Sequence, residues 1–298
     1  MKQSRFDRGF SVFVGIVSFL MIVITLYPLY FVVIASLSNP YQVSTGRVFL
    51  YPKGFTTEAY KYILRNAAIW RGFFNSTYVT VFGTMYNLFL CIPAAYALSR
   101  KNLFARKIVT WFFLVLMYFS GGMIPGYLLV KNIGLLNHWY TLIILSGLNM
   151  YNMIITRTFF ATSIPEELYE SARIDGCGEM KVFSKIALPL AKPIIAVVAL
   201  FFAVARWNDY FTALIHLQDS KYFTLQLVLR NILITASEAL LDSSNMSAEE
   251  YAKAKETALL AQTMKYSLIL ISSFPLLAIY PLVQKHFVKG VMIGAVKG

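Results

Sequence analysis

Four stretches of this chain, 9–46, 72–99, 108–130 and 132–156, contain no Lys, Arg, Asp or Glu. A helix that crosses the hydrocarbon core of a bilayer needs ~20 mostly apolar residues, and each run is long enough. Strands of a membrane barrel would instead alternate over roughly 10 residues, so the runs predict helices. Only 14% of the 298 residues are charged and 58% are hydrophobic. That leaves too little polar surface to cover a soluble domain of this length. The fold class is therefore all-α, a polytopic membrane protein.

Six spans fit the pattern, at about 10–35, 74–98, 108–130, 139–161, 190–215 and 265–284. The apolar run after Arg8 is far longer than the roughly 7–15 residues of a secretory h-region, so it reads as a retained first span. The net charge of +13 would suggest nucleic acid in a soluble protein. Here basic residues flank the spans and set topology, and no nucleic-acid partner is expected. Lys2, Arg5 and Arg8 precede the first span, and Arg100, Lys101, Arg106 and Lys107 lie between the second and third. Lys285, Lys289 and Lys297 follow the sixth. All three clusters fall on one side, which places both termini in the cytoplasm. Arg47, Lys53, Lys61, Arg65 and Arg71 lie on the other side, in a segment long enough to weaken the rule. The 216–264 connection is then external, and Ser247 with Glu250 gives it a capping-box start for a short helix. Cys91 and Cys177 lie in different environments and suggest neither a disulfide nor a metal site.

Between two apolar segments stands a polar ribbon, "PEELYESARIDGCGEMKVFSKIALP" at 165–189, with eight charged residues from Glu166 to Lys185. Pro165 suits the first position of a helix, and Glu166 and Glu167 suit its positive end. Gly176 and Gly178 break that helix and a second begins near Glu179. Leu168, Ala172, Val182 and Phe183 are apolar at helical spacing, which by composition alone suits an interfacial amphipathic connector. In a ribbon that docks in a protein cleft, the same stripe would bury against that partner. Gly176 permits a tight turn at positive φ.

Glu170-Ser171-Ala172, then Gly176, then Ile186-x-Leu188-Pro189 resembles the EAA signature of ABC-importer permeases, with Ser171 where Ala usually stands. "NSTYVTVFGTMYNLFLCIPAAYALSRKNLFARK" at 75–107 and "RWNDYFTAL" at 206–214 are similar to carbohydrate-uptake permeases of the maltose and alginate importer type. "FSGGMIPGYLLVKNIGLLN" at 119–137 resembles the subgroup serving oligosaccharides and polyuronates, and "FVKGVMIGAVKG" at 287–298 resembles the family's terminal tail.

The resemblance implies one permease domain over 1–298, with a cytoplasmic coupling helix–turn–helix at 162–189 in a type I importer fold. Glu170, Ser171, Ala172, Asp175, Gly176, Ile186 and Pro189 would couple to an ATPase. Gly290, Gly294 and Lys297, in the 285–298 tail, would run extended toward the same interface. It implies a homologous second permease, two ATP-binding subunits that hold ATP and Mg, and an extracellular or periplasmic solute-binding protein that delivers oligosaccharide. This chain would lie in the cytoplasmic membrane, bind no cofactor and carry no catalytic residue. A permease for another nutrient class is the alternative.

Trp207, Asn208 and Tyr210 are candidates for lining a sugar path, because aromatic faces and amides suit sugar CH faces and hydroxyls. They compete with an interface-anchor role. Arg206 and Asp209, three apart, read as a self-paired couple ahead of a transport role for the charges themselves, and His138 and His216 as interfacial residues. Asn75, Asn87, Asn149 and Asn152 read as interhelical hydrogen-bonding groups. An intramembrane enzyme would need clustered acids, histidines or a nucleophile with its base. The chain has three His and no H-E-x-x-H. It also lacks the G-x-x-x-x-G-K-[ST] loop of an ATPase.

Overall fold

The charge-free runs fold as helices, but not as one helix per run. The computed structural model describes residues 5–119, 121–241 and 247–295. The helices begin with α1 (Arg5–Ser36), α2 (Pro40–Ser44), α3 (Glu58–Arg65) and α4 (Ala67–Ser99). Next come α5 (Arg106–Tyr118), α6 (Met123–Asn132), α7 (Trp139–Ile144) and α8 (Met150–Thr162). The polar ribbon forms α9 (Glu166–Ile174) and α10 (Glu179–Val182), a π-turn over Phe183–Ala187, and the single turn α11 (Leu188–Leu190). The chain continues through α12 (Lys192–Asn208), α13 (Phe211–His216), α14 (Leu225–Leu241) and α15 (Ala248–Ala295).

Among the described residues, α1 and α4 are long and apolar enough to cross a membrane unaided. The pair α5 and α6, and the stretch α10–α11 with α12, pass the same test only in combination, the latter bent by 78°. Three of the expected spans are interrupted as helices. The 108–130 run breaks between α5 and α6, where Gly122 takes φ 86, a conformation open to glycine. The 139–161 run breaks between Ile144 and Met150, and the 190–215 run ends at Asn208 before α13. Apolar composition demands burial in lipid but does not demand helical continuity, provided the freed backbone groups find internal partners.

The C-terminal third departs further from expectation. The 216–264 segment contains α14, and Ser247 precedes a helix of 48 residues instead of a short one. The region expected as a sixth span lies inside that helix, and so do Gly290 and Gly294, which are helical where an extended tail was expected. Lys297 lies outside the described residues.

The chain groups into two compact units. One comprises 1–67 and 229–274. In it Phe31 meets Tyr266 edge-on at 5.6 Å, Ser267 donates to the Ser36 carbonyl, and Tyr60 donates to Ser36 Oγ. Most of the apolar surface of α1, including Phe13, Phe19, Ile24 and Leu29, stays exposed, as suits a lipid-facing helix. The other unit comprises 68–228 and 275–298. Its main core joins α4, α8, α9, α10 and α12 through Cys91, Ala95, Phe160, Tyr169, Val182 and Val198. A smaller core holds Val79, Leu142, Ile143, Ala213, Leu217 and Leu227.

Candidate functional site

Helix α9 ends in a turn fixed by hydrogen bonds. The Gly176 N–H donates to the Arg173 carbonyl and the Cys177 N–H to the Ala172 carbonyl, both at 2.9 Å. This is the Schellman arrangement, which requires a left-handed residue, and Gly176 supplies it with φ 73. A Cβ at Gly176 would meet nothing within 4 Å. The demand for glycine is therefore conformational, since the left-handed region costs an ordinary residue roughly 1–2 kcal/mol. Pro165 precedes α9 as its N-cap, one place earlier than the sequence suggests.

The apolar stripe expected to meet a partner is mostly used inside the protein. Ala172 and Val182 are buried in the main core, and Phe183 packs on the Tyr96 ring at 4.9 Å. Leu168 alone of the four stays exposed. The outward apolar groups are instead Ile174, 86% exposed, and Met180, 77% exposed, on either side of the Gly176 turn. Helical periodicity showed that a stripe existed, but not that the chain's own α4 and α12 would cover it. Glu170, Ser171 and Asp175 are exposed. Ile186 is half-buried and Pro189 is exposed within α11, between Ala187 and Ala191, which are both buried in the main core.

Polar contacts tie this ribbon to the end of α4. Glu179 accepts from Arg173 Nη2 at 3.0 Å and from the Tyr96 hydroxyl at 3.3 Å. Arg100, just beyond α4, lies 3.5 Å from Glu166 Oε2, with its guanidinium over the Tyr169 ring. Burial pushes the Tyr169 phenol up from its ordinary pKa, against the pull of Arg100. Sequence reading assigned Arg100 only to topology and left Tyr169 without a role. Their signal is weak, since neither falls on the EAA spacing.

A second polar centre lies deeper in the same unit. Arg206 is buried on α12 and donates to Asn87 Oδ1 and to the carbonyls of Leu142, Ile143 and Ser146. Asn87 also donates to the carbonyls of Ser146 and Gly147. These carbonyls belong to the C-terminal end of α7 and the break after it, where backbone acceptors lack helical donors. Gly83 makes room, because a Cβ there would stand 3.1 Å from Arg206 Nε. The expected Arg206–Asp209 couple is thus corrected. Arg206 serves the helix break, while Asp209 accepts from the Thr212 N–H at the start of α13.

The candidate sugar residues part company. Trp207 is buried, edge-on to Phe73 at 5.7 Å. Asn208 is exposed and donates to the Val204 carbonyl, and Tyr210 is exposed. Of the asparagines, Asn87 bridges helices, Asn149 caps α8, and Asn75 holds the carbonyls of Lys221 and Phe223. His138 and His216 sit against the Leu136 and Thr212 carbonyls at 2.8 and 2.9 Å.

Comparison with known proteins gives the family. The chain is 41% identical to Protein LplC of Bacillus subtilis (strain 168), over 92% of this chain and 90% of that protein. It is 39% identical to the polygalacturonan/rhamnogalacturonan transport system permease protein YtcP of the same organism, over the full length of both. A solved bacterial ABC transporter, involved in the import of the acidic polysaccharide alginate, contains a chain with TM-score 0.81 and 31% identity. The match covers 96% of this chain and 99% of that one. Residues 67–293 match the family described as binding-protein-dependent transport system inner membrane component, and the chain belongs to that family.

Proposed function

We propose that this chain is the permease of an ATP-driven carbohydrate importer, that it takes up acidic oligosaccharides, and that α9 and α10 receive the force of a partner ATPase. The carrying observation is the ribbon's geometry. A rigid glycine turn presents Ile174 and Met180 outward, while the opposite face is sunk into the bundle's own core. That is the form of a protein-binding knob, apolar at its tip and firmly based. The names of YtcP and of the alginate importer support an acidic polymer as the source of substrate.

The full assembly contains a second, homologous permease, two ATPase subunits that hold ATP and Mg, and an external binding protein. ATP closes the ATPase pair, the ribbons move with it, and the two bundles rock between inward- and outward-open states. Lys101 and Lys289 lie inside, and Lys61 and Lys255 outside. Single-cysteine labelling of intact cells with an impermeant reagent tests this orientation. Reaction at 101 with protection at 255 would reverse it.

Substrate class is tested on the partner binding protein, with uronate-containing and neutral oligosaccharides compared by calorimetry. Tight binding of the uronate series is expected, and binding of an unrelated nutrient would overturn the carbohydrate reading. Asn208→Leu tests the path: slower uptake is expected with assembly and basal ATP hydrolysis kept. Normal uptake would remove this residue from the route.

A further inference from the structure

Arg100 is held in an unusual way for a buried cation. Its guanidinium carbon stands 3.6 Å from the Tyr169 ring centroid and 5.7 Å from that of Tyr96. Its ion-pair partner, Glu166, keeps 35% of its side chain exposed and lies 4.0 Å from Lys101 as well. Among the described residues, Arg100 Nε and Nη1 are buried without hydrogen-bond acceptors, and the Tyr169 hydroxyl is buried without a partner too. Buried donors are normally satisfied, and those that are not call for an explanation.

The location supplies one. Arg100 follows the last residue of α4, whereas Glu166 and Tyr169 lie in the first two turns of α9. A planar guanidinium stacked on a ring fixes angle as well as distance, which an ammonium does not. The contact therefore sets the orientation of α9 against the end of α4. It leaves donors free for a second arrangement, as a joint needs when its two sides move together.

We propose that Arg100 is a positioning residue that transmits movement of the docked ribbon into α4. The stack on Tyr169 carries orientation, and the pair with Glu166 carries the pull. This rests on the reading of α9 and α10 as the ATPase-coupling element. Without the stack, α9 remains covalently attached and anchored by Ala172. It then tilts under load instead of passing displacement on.

The test uses the reconstituted complex with its ATPase subunits and binding protein, assayed for subunit retention, basal and binding-protein-stimulated ATP hydrolysis, and uptake. Arg100→Lys and Arg100→Gln should retain the ATPase subunits and the basal rate. Their stimulated rate and uptake should fall by about tenfold, within the usual range of coupling between sites. Tyr169→Phe keeps the ring face and should behave as wild type, whereas Tyr169→Leu should match Arg100→Gln. Normal stimulation in Arg100→Gln would overturn the proposal, as would loss of assembly in both Arg100 variants, which would make it a structural anchor. Gly176→Val serves as the control on the coupling reading itself. If it loses stimulation while Arg100→Gln does not, only the role of Arg100 fails. If neither does, the coupling reading fails.

Discussion

Arg206 and Arg100 are buried to the same degree, each 7% exposed, yet they are held in opposite ways. Arg206 is saturated by neutral acceptors, an amide oxygen and three backbone carbonyls at a helix break. Arg100 has two ring faces, one partly exposed carboxylate and, among the described residues, no acceptor for Nε or Nη1. The first arrangement allows one geometry, because any displacement strands several backbone groups. The second keeps the plane and stacking distance of the guanidinium but not one point on the ring, so it holds orientation while tolerating sliding. The difference separates a clamp that preserves the bundle from a joint that works within it.

The largest expected effect comes from breaking the clamp. Arg206→Met leaves Asn87 Oδ1 and the carbonyls of Leu142 and Ile143 without the donor Arg206 supplies, and leaves the Ser146 carbonyl with Asn87 alone. At about 1–3 kcal/mol for each buried group left unmade, the loss should be several kcal/mol. Thermal unfolding of the purified subunit in detergent should show a drop far larger than for Arg100→Gln. Equal drops would erase the distinction.

Gly176→Val should come next, with a penalty of roughly 1–2 kcal/mol for forcing a β-branched residue into the left-handed region. The effect should appear in stimulated ATP hydrolysis rather than in membrane insertion. Gly176→Asn tolerates that conformation and should keep most activity. An equal loss in both would implicate crowding at the interface instead of backbone strain. The smallest effect is expected at Gly83→Ala. A Cβ 3.1 Å from Arg206 Nε requires the clamped guanidinium to give by a few tenths of an ångström, which lengthens its hydrogen bonds without breaking them, so about 1 kcal/mol should be lost in the same melt.

The same contrast explains what could be read from the sequence. Gly176 and the α9–turn–α10 form were legible because helix caps and glycine turns are local, written within a few residues. The helical class was legible because apolar runs need no partner to be recognised. The break at 145–149 was not, since the groups that close it are distant: Asn87 and Arg206 are 119 residues apart. The apolar stripe of α9 and α10 was seen but its partner was misassigned, because periodicity reports a buried face and is silent on what buries it. Trp207 shows the same limit, as its indole packs on Phe73, 134 residues away.

The most direct test of the account is the outward tip of the ribbon. Ile174→Asp combined with Met180→Asp changes two exposed side chains that support no part of the bundle's core. The account expects this permease to insert and melt as wild type, while the ATPase subunits no longer co-purify and uptake is lost. Full retention of the ATPase subunits with normal binding-protein-stimulated hydrolysis in proteoliposomes would contradict it.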